Sequence, residues 1–342
     1  MQLKKFSNNF LKYFKKKKFN EVKFDNIIES KIIIERSGEI FKKSLLSFND
    51  DNGRTFSLRP DLTIAACLDY LKNKRKGVFK YVYFDQAYRR TFSSKSLVRN
   101  QLGCEVIGNP SFKADLEVLN NIYYTLKKYQ KKNIKIKVND ISLFNNFIGS
   151  LNLPKRWKLR FIRHFWRQSY FNELLKRLKS GSDIDNLVFK SDKNIFLKLK
   201  KNNQKSLIAG RKISDITSRF EKKIKQPRSK IDGKKIYRII NEFLNIETPL
   251  DKLDLRLNQF MKKYKLKFKT NVNFNKKNFK NSKIFFSAAV GRGAEYYSGF
   301  VFEIFSANNS QPIASGGRYN NLIQTLGSKR KITATGGAVN YD

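Results

Sequence analysis

Asp61, Gln101, Glu105, Arg292, Tyr297 and Tyr319 are of the types needed to hold a small zwitterion. Asp61 and Gln101 could meet an ammonium group, and Arg292 could grip a carboxylate through its planar fork. Glu105 and the phenols of Tyr297 and Tyr319 could hydrogen-bond a nitrogen heterocycle such as imidazole. Spacing supports part of this: Gln101, Gly103 and Glu105 alternate, so a strand turns all three to one face. The other reading of the same residues is a Glu105–Arg292 ion pair inside the core, and the pattern alone leaves both open.

Other chemistries find little to work with. The only histidine is His164, so neither a Ser-His-Asp triad nor a His-containing metal site can come from this chain. There is no Walker-type phosphate loop, and Gly291-x-Gly293 alone is too short a signal for a nucleotide site. No cofactor and no metal are expected, and catalysis by this chain has little support.

The elements that must position these residues are legible from periodicity. Leu45–Phe48 and Thr55–Leu58 flank Asn49-Asp50-Asp51-Asn52-Gly53, a strong hairpin signal. Pro60 ends the second strand, and Ile64, Cys67, Leu68 and Leu71 then make a helical stripe. Strands are predicted at Tyr81–Phe84 and Leu102–Ile107, on either side of a loop from Arg89 to Arg99. Pro110 and Ser111 open a helix with Leu116, Leu119, Ile122 and Leu126 on one face.

From about Leu151 to Lys280 helical periodicity dominates. Arg156–Tyr170 interleaves Trp157, Phe161, Phe165 and Trp166 with cations. That mixture suits a nucleic-acid surface, but helical spacing favours an amphipathic helix with its aromatics in the core. Asn271–Lys283 reads as a solvated loop. Strands resume at Ile284–Val290 and Phe300–Phe305, and Ile313–Ser315 leads into a short helix carrying Tyr319, Leu322, Ile323 and Leu326, capped by Gly327.

Composition bounds the rest. With 342 residues, 40% hydrophobic, including 30 Phe and 15 Tyr, the chain can bury a sizeable core. No apolar run reaches the ~18 residues that cross a bilayer, and Met1–Phe19 lacks a secretory pattern, so a cytoplasmic protein is expected. Cys67 and Cys104 are too few for a disulfide framework. The net charge of +44 suggests a polyanion partner. Yet Lys, Asn, Ile and Phe are abundant together while Ala and Gly are scarce, and the charge is spread along the chain, which favours compositional bias. Such a surface is expected to bind nucleic acid weakly and non-specifically at low salt.

Phe56-Ser-Leu-Arg-Pro-Asp-Leu-Thr63, Gln101-Leu-Gly-Cys-Glu-Val-Ile-Gly108, Arg292–Phe302 and Ser315-Gly-Gly-Arg-Tyr319 resemble the class II catalytic core of histidyl-tRNA synthetase. They resemble still more closely its paralogue, the regulatory subunit of ATP phosphoribosyltransferase, which has Arg-Pro-Asp-Leu-Thr where synthetases usually have Arg-Pro-Glu-Gly-Thr. The resemblance implies an α+β fold: a six-stranded antiparallel sheet with flanking helices, formed by 1–150 and 281–342, interrupted by a helical insertion at 151–280. It also implies a histidine site made of Asp61, Thr63, Gln101, Glu105, Arg292, Tyr296, Tyr297 and Tyr319, with Arg89 as a vestigial phosphate contact.

Departures from the synthetase pattern carry weight too. Asn26 replaces the usual proline of the dimer motif, Thr91 the glutamate that orients adenine, and Leu97-Val98-Arg99 the usual Arg-Glu-Phe. The chain stops at Asp342, where a synthetase would place an ATP-contacting arginine and, beyond it, an anticodon-binding domain. Losing such charge contacts should cost orders of magnitude in activation rate. The implied role is a non-catalytic subunit that dimerises within a hetero-octamer with a short catalytic subunit, supports condensation of ATP with phosphoribosyl pyrophosphate, and transmits histidine inhibition. An RNA-binding or degenerate synthetase paralogue is the alternative.

Overall fold

Alternating side chains make Phe79–Tyr88 and Val98–Ile107 the longest strands, ten residues each. They pair antiparallel from Phe79 opposite Ile107 to Tyr88 opposite Val98. Val82, Leu102, Cys104 and Val106 point to one face, where they join the main hydrophobic core. Tyr81 and Tyr83 point to the other, with Gln101 and Glu105.

The computed structural model describes residues 2–37, 44–90, 96–130, 133–180, 197–198, 207–208, 211–224, 232–270, 284–306 and 310–341. Within them the strands are β1 (Asn20–Glu21), β2 (Ile27–Glu29), β3 (Ser47–Asn49), β4 (Thr55–Leu58), β5 (Phe79–Tyr88), β6 (Val98–Ile107) and β7 (Ile134–Asp140). After them come β8 (Leu207–Ile208), β9 (Arg211–Lys212), β10 (Glu247–Pro249), β11 (Ile284–Ser287), β12 (Phe300–Ser306), β13 (Pro312–Arg318) and β14 (Ala334–Tyr341).

The main sheet has nine strands in the order β1-β5-β6-β14-β13-β12-β7-β11-β10, not the six that the resemblance implied. The run β5-β6-β14-β13-β12-β7 is antiparallel throughout and supplies the expected core. Three short strands extend it: β1 lies parallel to β5, β11 parallel to β7, and β10 antiparallel to β11. Each gives partners to backbone N–H and C=O groups that an edge strand would leave exposed.

One face of the sheet is covered by helices Gln2–Lys16 and Phe112–Gln130. Phe6, Phe10 and Phe14 of the first, and Val118, Leu119, Ile122 and Leu126 of the second, are buried there. The other face receives helix Leu62–Lys72, packed through Ile64, Ala65 and Cys67 against Tyr81, Tyr83 and Tyr319. The β3–β4 hairpin forms as read, with Phe48 opposite Phe56. The Asp50 carboxylate accepts from the Asn52 and Arg54 amides in its turn, and Gly53 takes the left-handed backbone (φ +75°) that the turn requires.

Between Leu151 and Lys280 the described elements are chiefly helices, among them Lys155–His164, Gln168–Ser180, Gly233–Leu244 and Leu253–Tyr264. Trp157, Phe161 and Phe165 are buried in the main core, so these three aromatics of the basic stretch are packing residues. Thr91 and the loop Asn271–Lys283, both read from the sequence, lie outside the described residues. No helix among those described is long and apolar enough to cross a membrane.

Candidate functional site

Asp61 caps the helix Leu62–Lys72: its Oδ1 accepts from the Ile64 amide at 3.1 Å. Its Oδ2 turns the other way and accepts from the Tyr296 hydroxyl at 3.4 Å. Thr63, in the first turn, donates from Oγ1 to Glu105 Oε1 at 2.8 Å. Tyr83 of β5 donates to the same oxygen at 2.9 Å, and Tyr319, just beyond β13, donates to Glu105 Oε2. Glu105 is fully buried. Its cross-strand neighbour on β14 is Gly336, where an added Cβ would lie 1.4 Å from Glu105 Oε2. The glycine is what lets the carboxylate lie across β14.

Burial drives Glu105 towards its neutral form, while the hydroxyls of Tyr319, Thr63 and Tyr83 oppose that by solvating the charge; the balance is a pKa pushed up to about 7. Glu105 is thus an acceptor fixed in place by three hydroxyls, beneath a polar depression.

Above it opens a cavity of about 1220 Å³, far roomier than an amino acid. Asp61, Thr63, Gln101, Tyr296, Tyr297, Tyr319 and Arg89 all contribute to its wall. Residues scattered over more than two-thirds of the sequence are thus brought together, with Glu105 beneath them. Gln101 is steadied by Nε2 donating to Asn340 Oδ1 at 2.9 Å. Arg89 keeps a buried Nε without a hydrogen-bond partner, and its amide closes the loop by donating to Leu97 O at 3.0 Å.

Arg292 stands apart. It does not line the cavity, nor does it form the core ion pair with Glu105, whose partners are the three hydroxyls. Its Nε donates to the carbonyl of Phe165 at 2.9 Å. Its guanidinium lies 5.3 Å from the Phe165 ring and 4.9 Å from that of Phe171. Burial lowers its pKa to about 10, and Nη2 is buried without a partner. The side chain ties the 291–297 connection to the helical segment.

Sequence reasoning missed Tyr83: alternation put it on one face with Tyr81, but only the pairing of β5 with β6 made that the Glu105 face. It also missed Trp166 and Arg167, which enter the cavity wall from the helical segment, and Glu303 and Ser315 from β12 and β13. The cation-aromatic mixture at Arg156–Tyr170 was the signal for the first two.

The family model described as "Histidyl-tRNA synthetase" matches residues 1–342. The chain belongs to the histidyl-tRNA synthetase family. Among its curated relatives, the ATP phosphoribosyltransferase regulatory subunit of Allorhizobium ampelinum is 25% identical over 89% of this chain and 87% of its own length. That of Rhizobium meliloti is 25% identical over 98% and 94%. The kinship expected from Arg-Pro-Asp-Leu-Thr is therefore met. Solved structures share the fold. Histidyl-tRNA synthetase from Nostoc gives a TM-score of 0.62 at 16% identity, covering 99% of this chain and 69% of that one. A chain of the ATP phosphoribosyl transferase (HisG:HisZ) complex from Thermotoga maritima gives 0.54 at 17%, covering 99% and 97%. The class II synthetase-like core is common to both.

Proposed function

We propose that this chain is the non-catalytic regulatory subunit of ATP phosphoribosyltransferase. It acts with a short catalytic subunit in the first step of histidine biosynthesis, and it carries the histidine feedback signal. The observation that bears most weight is the convergence of Asp61, Gln101, Tyr297 and Tyr319 on one cavity above the buried Glu105. Asp61 Oδ2, which also accepts from Tyr296, and the Gln101 side chain suit an ammonium group, and Glu105 suits an imidazole N–H. Arg292 would reach a ligand carboxylate only by leaving Phe165. In that case histidine would change the contact between the 291–297 connection and the helical segment 151–280, which we read as an insertion between the core parts 1–150 and 281–342.

The cavity is much larger than histidine, and Arg89 and Arg167 at its wall suit an anion. Arg89 fits a phosphate contact that survives from a synthetase ancestor. The chain would work in the cytoplasm, as a dimer within a hetero-octamer. For feedback to matter, histidine must favour the inactive arrangement by about 1–3 kcal/mol.

The test is turnover of ATP plus phosphoribosyl pyrophosphate by a short catalytic subunit from the same source. It is measured without this chain, with it, and with histidine added. Stimulation that histidine suppresses supports the reading. No complex and no stimulation would favour an RNA-binding synthetase paralogue, for which RNA retention at moderate salt is the matching assay.

A further inference from the structure

We propose that Tyr83 is a positioning residue for Glu105, holding its carboxylate as a charged acceptor and so setting the pH range over which the cavity binds histidine. The inference deepens the histidine reading and rests on it.

The geometry is specific. Tyr83 is buried, with 1% of its surface exposed, and its hydroxyl donates to Glu105 Oε1 at 2.9 Å. Its cross-strand neighbour on β6 is not Glu105 but Gly103. A Cβ at Gly103 would stand 2.3 Å from the Tyr83 hydroxyl and 2.4 Å from Cζ. The hydroxyl end of the ring therefore lies over the glycine, where the carboxylate of Glu105, two residues along β6, meets it. A tyrosine kept only for bulk would not need a bare backbone opposite it, nor a phenol aimed at an acid.

The other groups around Glu105 leave this hydroxyl much to do. The helix Leu62–Lys72 presents Thr63 and Cys67, with Asp61 at its cap. Tyr319 follows β13, and Tyr296 and Tyr297 come from the connection before β12. Cys104, next to Glu105 on β6, is buried on the opposite face, and β14 offers only Gly336. Asp61 is a further carboxylate, and its proximity disfavours a charge on Glu105. Among the described residues no lysine or arginine forms an ion pair with Glu105. The charge is held by hydroxyls alone, and Tyr83 is one of three. An ionised Glu105 accepts an imidazole N–H, whereas its protonated form offers a competing donor.

Tyr83→Phe keeps the ring and removes the phenol. Histidine binding would be followed by calorimetry from about pH 5 to pH 9 for both proteins. Because the histidine ring titrates in the same range, the difference between the two curves is the quantity read. The protonated-carboxyl infrared band of Glu105, assigned by its loss in Glu105→Gln, would be titrated without ligand. The expected result is a band that persists about one pH unit higher in Tyr83→Phe, with histidine bound about tenfold more weakly near pH 6 and equally by pH 9. An unshifted band, or equal weakening at every pH, would overturn the role given to Tyr83. A wild-type protein that binds no histidine would overturn the histidine reading instead, and the infrared titration would still judge Tyr83.

Discussion

Arg318 grips Asp115 with three contacts: Nε lies 3.0 and 2.9 Å from the two carboxylate oxygens, and Nη2 lies 2.8 Å from Oδ2. Both side chains are buried, and further N–H groups reach the carbonyls of Asn109 and Ser111. The end of β13 is thereby locked to the start of helix Phe112–Gln130. Tyr319 follows immediately and turns to the opposite face, over Glu105. An ion pair on one side of the sheet thus sets the reach of a phenol on the other.

Removing one partner of such a pair leaves the other charge buried and alone. Arg318→Ala should lower stability by about 3–5 kcal/mol in urea unfolding, and histidine feedback should fall with it. A loss below about 1 kcal/mol would mean that Asp115 finds water, and that the pair does not set Tyr319.

Gly336→Ala should be the most damaging single methyl in the site. The new Cβ would meet Glu105 Oε2 at 1.4 Å and the Cys104 carbonyl at 2.8 Å, and the backbone contact cannot swing away. A cost of about 1–3 kcal/mol is expected, with loss of histidine binding even at permissive temperature. Normal binding in a folded Gly336→Ala protein would take Glu105 out of the site.

Stability should depend on pH through Glu105. Folded Glu105 keeps its proton up to about pH 7, whereas an ordinary glutamate gives it up near 4.5. Between those values the folded state binds more protons, so this group's contribution to stability falls as pH rises. Comparing Glu105→Gln with wild type isolates the effect, since burial raises Asp115, Asp140 and Glu303 in both. The variant should gain on wild type across that window, approaching about 3 kcal/mol. Denaturant curves at pH 5 and pH 8 measure the gain; a constant difference would refute it.

Arg292→Ala removes the bond to Phe165 and the stacking on Phe171. A modest stability loss of about 1–2 kcal/mol is expected, together with weaker histidine inhibition of the complex. Arg292→Lys should restore charge but not the fork, and should recover inhibition only in part. Full inhibition in Arg292→Ala would remove the residue from both binding and signalling.

Short-range pattern was enough for the local elements and for which face of a strand or helix a side chain takes. Period-two alternation put Gln101 and Glu105 on one face, helical spacing buried Ile64 and Cys67, and the Asn-Asp-Asp-Asn-Gly turn closed its hairpin. These depend on backbone geometry within a few residues, which short-range pattern reports directly. Which strands stand side by side is another matter. The Tyr83–Glu105 bond joins neighbouring strands across 22 residues, and the Gln101–Asn340 bond spans 239. The short edge strands β1 and β10 carry too few residues for a period to show. Arg292 could reach either a ligand or the core, and only the packing of Phe165 and Phe171 beside it decided the outcome. Long side chains and long-range pairings are chosen by what else occupies the space, so tertiary structure alone placed the hydroxyl cage around Glu105.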